Sequence, residues 1–426
     1  MTVIVSLSCA ARDLPGYIRF LRQNKSFRKL FISDLVMFTG DWFSVIAMFL
    51  LAAEATADSP LGIAGVLVVR SFTFAPLEPI TGMLADRYSR KGLMLVSNLL
   101  SFGILVTFLA LDLMESLLSV YLLAICLVIG RAVYDPAQTA YLPNVCTKEE
   151  LLTANALVSG VWSASMGFGA GIGGLVISQY GIKVGLMIDS ATFLFAALMI
   201  STLPHGGPEK SEKRSANPIE MFKEIVAGWR YILARPHIRR LLLAKGGWAT
   251  GGGAQVFLLI LIGMEAGFGE VAAGIGLVYL CRGFGSGFGP IVARPLMAVQ
   301  RVMPYLIGLA LAGSGLLYVG VSTFEWGALT LLCIFFSHGC SGISWVFSTT
   351  HLQRRSEDEW MGRVAGTDNL VITLTMGVST IFAGLGMEYD VVTLREMLLI
   401  TAGIQISVGV LWLLLASPRE KSFLAG

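Results

Sequence analysis

Charged residues are scarce in this sequence: they make up 14% of the 426 residues, while hydrophobic residues make up 55%. Soluble domains carry roughly 25% charged residues, so this composition excludes an ordinary soluble protein. The net charge is only +3, which gives no support for nucleic-acid binding. What remains are long apolar runs, and about 20 apolar residues suffice for a helix to span a bilayer. The sequence therefore predicts an integral membrane protein.

Residues that form metal or catalytic sites are also few. The six cysteines contain no CxxC pair, and four of them fall inside apolar runs. This spacing argues against a disulfide framework and against a metal site. His338 and His351 are isolated, and no nucleophile–base arrangement or phosphate-binding glycine loop is present. We therefore expect no enzyme activity and no cofactor.

Twelve apolar runs are long enough to cross a membrane as helices, and they form two groups of six. This pattern predicts an all-α membrane protein with twelve transmembrane helices in two six-helix halves. The runs lie at 30–53, 61–84, 93–112, 117–138, 154–178 and 184–203, and then at 241–262, 271–293, 303–322, 327–350, 364–387 and 396–416.

The longest polar segment, 204–240, separates the two groups. Its first part has the composition of a flexible linker. Its second part has basic residues between apolar residues at helical spacing, which is typical of an interfacial helix. The predicted organisation is an N-terminal segment 1–29, a bundle 30–203, a linker 204–240, a second bundle 241–416 and a tail 417–426.

Lys and Arg fall almost entirely on one side of this arrangement. If both termini face the cytoplasm, 25 basic residues lie on the cytoplasmic side, two on the opposite side and four within the spans. Cytoplasmic loops of membrane proteins carry this excess of Lys and Arg. We therefore expect the N-terminal segment, the linker and the tail to lie in the cytoplasm.

The two groups of spans resemble each other in sequence. GIAGVLVVR at 62–70 and GIGLVYLCR at 274–282 align without a gap, 212 positions apart, and each ends in an arginine. SMGFGAGIGG at 165–174 and TMGVSTIFAG at 375–384 align at an offset of 210. Two matches at nearly one offset predict an internal duplication. Parallel six-helix halves are the architecture of one large transporter class, in which substrate binds near the membrane midplane.

Several charged residues lie inside the first six spans, where each costs at least about 2.5–3.5 kcal/mol and normally faces a partner or water. Asp34 and Asp41 are seven residues apart and share one face of the first span. Asp41 and Arg70 lie at depths that agree within roughly 5 Å, which predicts an ion pair. Arg131 and Asp135, at i and i+4, can pair along one helix. These pairs either only neutralise each other or serve proton coupling and gating.

In the second half, Lys245 and Arg282 have no obvious acidic partner. An anionic substrate group is one explanation for this. For Lys245, the other explanation is a side chain that reaches to the inner membrane surface. Three tryptophans lie within spans and either anchor the helices at the interface or line an apolar substrate cavity: Trp42, Trp248 and Trp345.

The loop between the second and third spans holds a dense cluster of charges of both signs, GMLADRYSRK at 82–91. It resembles the loop signature of the major facilitator superfamily, commonly written G-x-L-a-D-R-x-G-r-r, with Ser89 where a glycine is frequent. Further segments resemble the bacterial branch that includes the enterobactin exporter and macrolide efflux pumps. They include FLRQNKSFRKLFISDLVMFTGDWF, RAVYDPAQTAYLPNVCTKEELLTANAL, AGWRYILARPHIRRLLL and STTHLQRRSEDEWMGRV.

The resemblance covers nearly the whole chain and implies a secondary transporter of the bacterial inner membrane that works by alternating access. The antiporter signature of the fifth span, G-P-x-x-G-G, is present as GAGIGG at 169–174 without its proline, which leaves proton antiport open. The resemblance also implies a cytoplasmic gate, in which Asp86 contacts Arg131 and Arg363. The other residues expected at this gate are Gly82, Arg87 and Arg90.

We therefore expect a monomeric exporter of a small amphipathic compound of the drug or siderophore type, with the lipid bilayer as its surroundings. Protons are the candidate coupling ion. An importer or a lysolipid-type transporter on the same fold is the alternative within this class. A membrane scaffold or sensor that does not transport is the alternative outside it, because a fold does not fix a function.

Overall fold

A computed structural model of the protein describes residues 16–206, 218–297, 299, 302–357 and 360–425. All regular secondary structure in these residues is helical. Within the same part of the chain, twelve helices are long and apolar enough to cross a membrane. The prediction of an all-α protein with twelve spans is confirmed.

The first six spanning helices follow the predicted apolar runs, and some continue up to seven residues beyond them. Helices can extend past an apolar run because their ends, unlike the lipid-facing middle, tolerate polar residues. They are α1 (Lys25–Ala55), α2 (Pro60–Arg87), α3 (Arg90–Ala110), α4 (Leu117–Val145), α5 (Leu151–Tyr180) and α6 (Ile182–Ser201).

A shorter helix, Pro218–Ala234, which we call the linker helix, precedes the second six. Residues 1–15 of the predicted N-terminal segment and residues 207–217 of the predicted linker lie outside the described residues. One turn of π-helix, Trp412–Ala416, connects the last span to a final helix, Ser417–Ala425. The second six are α7 (Pro236–Glu265), α8 (Val271–Met297), α9 (Met303–Thr323), α10 (Ala328–Arg355), α11 (Met361–Glu388) and α12 (Leu394–Leu411).

Side-chain caps fix where several helices begin. Asn24, Ser59 and Ser89 each accept a hydrogen bond from a backbone N–H three residues later, at the start of α1, α2 and α3. Thr393 and Glu396 form a capping box at the start of α12. Such caps satisfy N–H groups that have no partner inside the helix.

The chain divides into two compact units. The first contains Ala11–Ser215 and Ile262–Leu280, and the second contains Ala216–Leu261 and Cys281–Gly426. In the first unit α1 packs along α5 and α6, α2 along α4, and α3 along both α4 and α6. In the second unit α9 packs along α10 and α12, and the linker helix packs against α11. The bundle boundaries 30–203 and 241–416 stay a prediction.

Glycines let α5 lie close against α1. A Cβ atom at Gly169 would lie 2.7 Å from the carbonyl oxygen of Thr39, and one at Gly173 would lie 3.2 Å from the ring of Phe43. Small residues at these positions allow the backbones to approach. The two helices therefore lie in close contact along this stretch of the first unit.

Candidate functional site

Charged side chains from four helices meet inside the first unit. On α4, the spacing i, i+3, i+4 and i+7 places four polar side chains on one face: Arg131, Tyr134, Asp135 and Gln138. On α1, Asp34 and Asp41 are seven residues apart and also share one face. We call the charged members the intramembrane charge cluster: Asp34, Asp41, Arg70, Arg131, Asp135 and Asp189.

Asp34 is buried, with 1% of its surface exposed. One of its carboxylate oxygens accepts a hydrogen bond from the Tyr134 hydroxyl group. The other accepts a hydrogen bond from Gln138 Nε2 at 2.6 Å. The carboxylate is therefore held in place by neutral donors rather than by a bonded cation.

Arg131 lies between two carboxylates. Its Nε donates to Asp135 Oδ1 and Oδ2 at 2.6 and 2.8 Å, which is the i, i+4 pair that the sequence predicts. Its Nη1 lies 3.8 Å from Asp41 Oδ2, and its Cζ lies 4.0 Å from the ring centroid of Phe38. One guanidinium group thus serves acids on α1 and on α4.

The ion pair of Asp41 differs from the predicted one. Among the described residues, Asp41 pairs with Arg131 and not with Arg70. The prediction matched the depths of Asp41 and Arg70 in the membrane, but depth does not fix which face of α2 is turned toward α1. Arg70 is nevertheless part of the cluster, because it interacts electrostatically with Asp41, Arg131 and Asp189.

Asp189 on α6 is fully buried. It lies inside the sixth predicted span, 184–203. Its carboxylate accepts hydrogen bonds from the hydroxyl groups of Ser44 and, at 3.2 Å, Thr192. Among the residues that the structure describes, Arg70 Nη1 has no hydrogen-bond partner.

In the second unit, Lys245 has an acidic partner that the sequence analysis did not identify. Lys245 Nζ lies 2.5 Å from Asp368 Oδ2, and these side chains are 4% and 6% exposed. The interpretation of Lys245 as a lysine that reaches to the membrane surface is therefore wrong. Its ammonium group also lies 4.8 Å from the ring centroid of Trp345, a distance at which cation–π attraction operates.

Two of the three predicted cavity tryptophans lie together beside this ion pair. The rings of Trp248 and Trp345 meet edge to face with centroids 5.6 Å apart, and Trp248 Nε1 donates to Ser341 Oγ at 3.2 Å. Trp42 belongs to the first unit, where its ring centroid lies 5.2 Å from that of Tyr279. That the tryptophans line a substrate cavity stays a prediction.

The two units repeat one local arrangement at the offset of the internal duplication. Asp34 contacts Tyr134 in the first unit, and Lys245 contacts Trp345 in the second. Lys245 follows Asp34 by 211 residues, and Trp345 follows Tyr134 by the same number. The equivalent spans thus carry a charged residue next to an aromatic residue in both units, although the sign of the charge is reversed.

Arg282 lies on α8 in the second unit and corresponds to Arg70 in the sequence repeat. It interacts electrostatically with His338. His338 is buried and its Nε2 lies 3.0 Å from the hydroxyl oxygen of Tyr318. A role of Arg282 in binding substrate stays a prediction.

The loop motif at 82–91 is tied to the ends of neighbouring helices in the first unit. Ser89 caps α3 and donates a hydrogen bond to the carbonyl oxygen of Gly206 at 3.2 Å. Arg90 Nη1 donates to Asn144 Oδ1 at 3.1 Å. Lys91 Nζ donates to two backbone carbonyl oxygens at the end of α6, at 2.6 and 2.7 Å. Arg90 and Lys91, the first two residues of α3, therefore connect this helix to the ends of α4 and α6.

The remaining gate residues are described only in part. Gly82 is partly buried in α2, and Arg87 is exposed at the end of that helix. Asp86 lies outside the residues whose side chains the structure describes. Arg363 belongs to the second unit, where its guanidinium carbon lies 4.6 Å from the ring centroid of Trp360. The contacts that would form the gate stay a prediction.

Three site residues were not identified from sequence. Asp368 lies inside the predicted span 364–387, and an acidic residue within a span is by itself a reason to expect a functional or paired group. Tyr134 and Gln138 follow Arg131 at helical spacing, so the sequence could have identified them as members of the same polar helix face.

In the part of the chain that the structure describes, twelve helices could span a membrane, and charged groups lie buried in each of the two compact units, which is the pattern of a polytopic membrane transporter. The Major Facilitator Superfamily profile matches residues 30–380. The chain belongs to this superfamily, whose members are transporters and not enzymes, and it is a multi-pass membrane protein with a fold that supports secondary transport of small molecules across a lipid bilayer.

Two relatives come from Bacillus subtilis (strain 168). The "Uncharacterized MFS-type transporter YfiS" is 24% identical over 314 residues, which are 72% of this chain and 70% of YfiS. The "Putative bacilysin exporter BacE" is 23% identical over 322 residues, which are 75% of this chain and 78% of BacE.

Solved structures with the same fold include a bacterial homologue of the human lysosomal transporter Spinster, in an inward-facing and unoccupied conformation. It superposes with a TM-score of 0.72 at 14% identity, over 94% of this chain and 98% of that one. A point mutant of the nucleoside transporter NupG superposes with a TM-score of 0.71 at 13% identity, over 91% and 99% of the two chains. At these identities the likeness concerns the fold alone.

Proposed function

We propose that the protein exports a small amphipathic compound across a bacterial inner membrane by alternating access, and that protons taken up by the intramembrane charge cluster drive the cycle. The N-terminal segment, the linker and the tail face the cytoplasm in this proposal, in keeping with the distribution of basic residues.

The observation that carries proton coupling is the balance of charge inside the first unit. The cluster holds four carboxyl groups and two guanidinium groups, so its formal charge is −2 if every group is ionised. Arginine stays protonated in proteins. Uncompensated charge inside a membrane is expensive. Binding of protons by the carboxyl groups is the simplest way to remove the excess negative charge.

The surroundings of the four acids suggest which of them exchange protons. Asp41 and Asp135 share the guanidinium group of Arg131. Asp34 and Asp189 accept hydrogen bonds from neutral side chains instead. A buried carboxyl group without a bonded cation takes up a proton more readily than one held by arginine. Asp34 and Asp189 are therefore the proposed proton acceptors. Movement of the helices that carry the arginines would change how readily these two carboxyl groups bind protons.

Export as the direction rests on similarity. BacE, which aligns over most of this chain, is named as an exporter. Several segments of the sequence also resemble the branch of the enterobactin exporter and macrolide efflux pumps. In this proposal Trp248 and Trp345, next to the buried Lys245–Asp368 pair, contribute apolar surface to the site of an amphipathic compound.

The cytoplasmic gate is part of the same proposal. Hydrogen bonds from the loop motif join the ends of α3, α4 and α6, which in this proposal lie at the cytoplasmic surface. Helix ends joined in this way suit a gate that opens and closes as a whole. The proposed gate residues are Gly82, Asp86, Arg87, Arg90, Arg131 and Arg363.

A deletion strain complemented with variants tests this function. Growth inhibition by amphipathic antibiotics and the profile of secreted metabolites are compared at several external pH values for the wild type, Asp41→Asn and Asp86→Asn. We expect both variants to lose at least about tenfold in export, because one alters the charge cluster and the other the gate. Asp112→Asn is the matched control, since Asp112 lies exposed beyond the end of α3 and pairs with the exposed Lys183 at the start of α6.

The results separate the parts of the proposal. If Asp41→Asn exports at the wild-type rate across the whole pH range, Asp41 and its contact with Arg131 take no part in proton coupling. If deletion changes neither sensitivity nor any secreted compound, the assignment as an exporter is wrong.

A further inference from the structure

A groove on the second unit runs between α7 and α12, close to their basic ends. It has a volume of about 330 Å³. Arg240 and Arg419 stand at one end of it. Apolar side chains and Gly247 line the rest, including Leu243, which is 66% exposed. The groove therefore combines two cations with an uncovered apolar surface.

The apolar part of this groove lies on two helices that are long and apolar enough to span a membrane. Arg240 and Gly247 are seven residues apart on α7, so the groove extends about 10 Å along the helix from the basic end. Leu411 and Leu415 are exposed on the facing side of the groove, in helices that the hydropathy assigns to the membrane. An apolar chain that enters here from the bilayer would follow the helix axis.

The π-helical turn Trp412–Ala416 shapes the wall of the groove formed by the last span. Trp412, Leu415 and Ala416 from this turn line it. Trp412 Nε1 donates to the carbonyl oxygen of Pro304 at 2.9 Å, which fixes the turn against α9. Single π-helical turns occur frequently at functional sites.

The charge at the basic end is positive even after its buried acid is counted. Glu420 is 3% exposed and accepts hydrogen bonds from Arg240 and Arg355, at 2.8 and 2.7 Å. Both of its oxygens are thus engaged. Among the residues that the structure describes, Arg419 has no acidic partner, and Lys421 lies exposed two positions later.

We infer that this groove binds a phospholipid with an anionic headgroup, with one acyl chain along Leu243 and Gly247 and the phosphate near Arg419 and Arg240. Basic pockets between spanning helices on the cytoplasmic side recognise anionic headgroups, and each nearby Lys or Arg contributes about 1 kcal/mol of attraction. A free anion would leave the apolar part of the groove uncovered, and a lipid without net negative charge would leave the excess positive charge at the basic end uncompensated.

The bound lipid would touch the helix that carries the buried Lys245–Asp368 pair. Ala244, next to Lys245, and Gly247 both line the groove. A lipid there stabilises the position of α7 against α12, so the lipid composition of the membrane would affect the stability of the second unit.

Native mass spectrometry of the purified full-length protein in detergent, titrated with phosphatidylglycerol or phosphatidylcholine, tests this site. We expect phosphatidylglycerol to bind the wild type more tightly, and Arg419→Gln to weaken it about fivefold. Lys421→Gln is the matched control, because Lys421 is an exposed cation on the same helix that does not line the groove. Leu411→Trp, which fills the groove at an exposed position, is expected to weaken both lipids.

Several results would overturn the inference. Equal losses in Arg419→Gln and Lys421→Gln would show attraction to the general positive surface only. Equal affinity for the two lipids would remove the role of the anionic headgroup. Displacement of phosphatidylglycerol by inorganic phosphate at the same concentration would show an anion site without an acyl-chain groove. Unchanged binding in Leu411→Trp would place the lipid elsewhere.

Discussion

At the scale of single residues, the buried ion pair between Lys245 and Asp368 has a clear energetic consequence. Two charges this deeply buried are costly to remove from water, and only their mutual attraction compensates. Asp368 Oδ1 has no hydrogen-bond partner among the described residues, so Lys245 is its main source of stabilisation. Removal of one partner should therefore lower the unfolding free energy more than removal of both.

We predict that Lys245→Met lowers the unfolding free energy of the purified protein by about 3 kcal/mol, because it leaves an acid buried without its cation. The double variant Lys245→Met/Asp368→Leu should regain most of this loss. Thermal unfolding in detergent measures both, and Lys421→Met on the exposed tail is the control. A double variant as unstable as Lys245→Met would contradict this account.

The limits of sequence reasoning are clearest at the residue scale. Hydropathy gives the depth of a charge in the membrane, and spacing gives the face of its own helix. Neither gives the rotation of a neighbouring helix, which is set by packing along its whole length. This is why the Arg131–Asp135 pair within one helix was predictable, whereas the contact of Asp41 with Arg131 was not.

At the scale of helices, glycines on α8 determine how closely it approaches α10. A Cβ atom at Gly285 or Gly289 would collide with backbone carbonyl oxygens of Phe335 and Gly339. Close backbone approach through small residues is a main source of helix association in membranes. The glycines lie in the segment RGFGSGFGP at 282–290, and the structure shows that its partner is α10.

We predict opposite effects for the same substitution at two glycines. Gly289→Ala should destabilise the protein by about 1–3 kcal/mol, because the methyl group has no space against α10. Gly103→Ala should stabilise it by about 0.5–1 kcal/mol, because no atom lies within 4 Å of the added carbon and alanine favours the helix. Thermal unfolding in detergent distinguishes the two signs. Similar shifts for both variants would contradict the close packing of α8 and α10.

The bounds of the spanning helices were the most predictable feature of the fold. A run of about 20 apolar residues must form a helix in lipid, because every backbone group needs an internal partner. The parts of the helices that extend beyond the apolar runs were less predictable. For example, α4 continues through Pro143 to Val145. Helix ends in water depend on local caps and tertiary contacts rather than on hydropathy.

At the scale of the whole molecule, the internal duplication connects the sequence to the two units. Arg70 and Arg282 occupy equivalent positions, as do Asp34 and Lys245. The repeat was visible in sequence because it preserves glycine and arginine positions. The different chemistry of the two units was not visible, because it depends on partners such as Asp189 and Asp368, which the repeat does not share.

This difference suggests a division of labour between the units. The first unit holds an excess of carboxyl groups suited to proton uptake, and the second holds a balanced ion pair beside aromatic rings. In a transporter that alternates between two states, protonation of the first unit would change the relative free energies of those states.

Double electron–electron resonance between spin labels at positions 148 and 354 tests this central claim most directly. Lys148 and Arg354 are exposed residues of the two units, and the native cysteines are replaced for labelling. We predict two distance populations whose ratio changes with pH. The variant Asp34→Asn/Asp189→Asn, which mimics protonation, should hold the low-pH ratio at every pH, while Asp112→Asn should behave as the wild type. A single distance that does not change with pH, or an unchanged pH response in the double variant, would contradict proton-driven alternating access through this cluster.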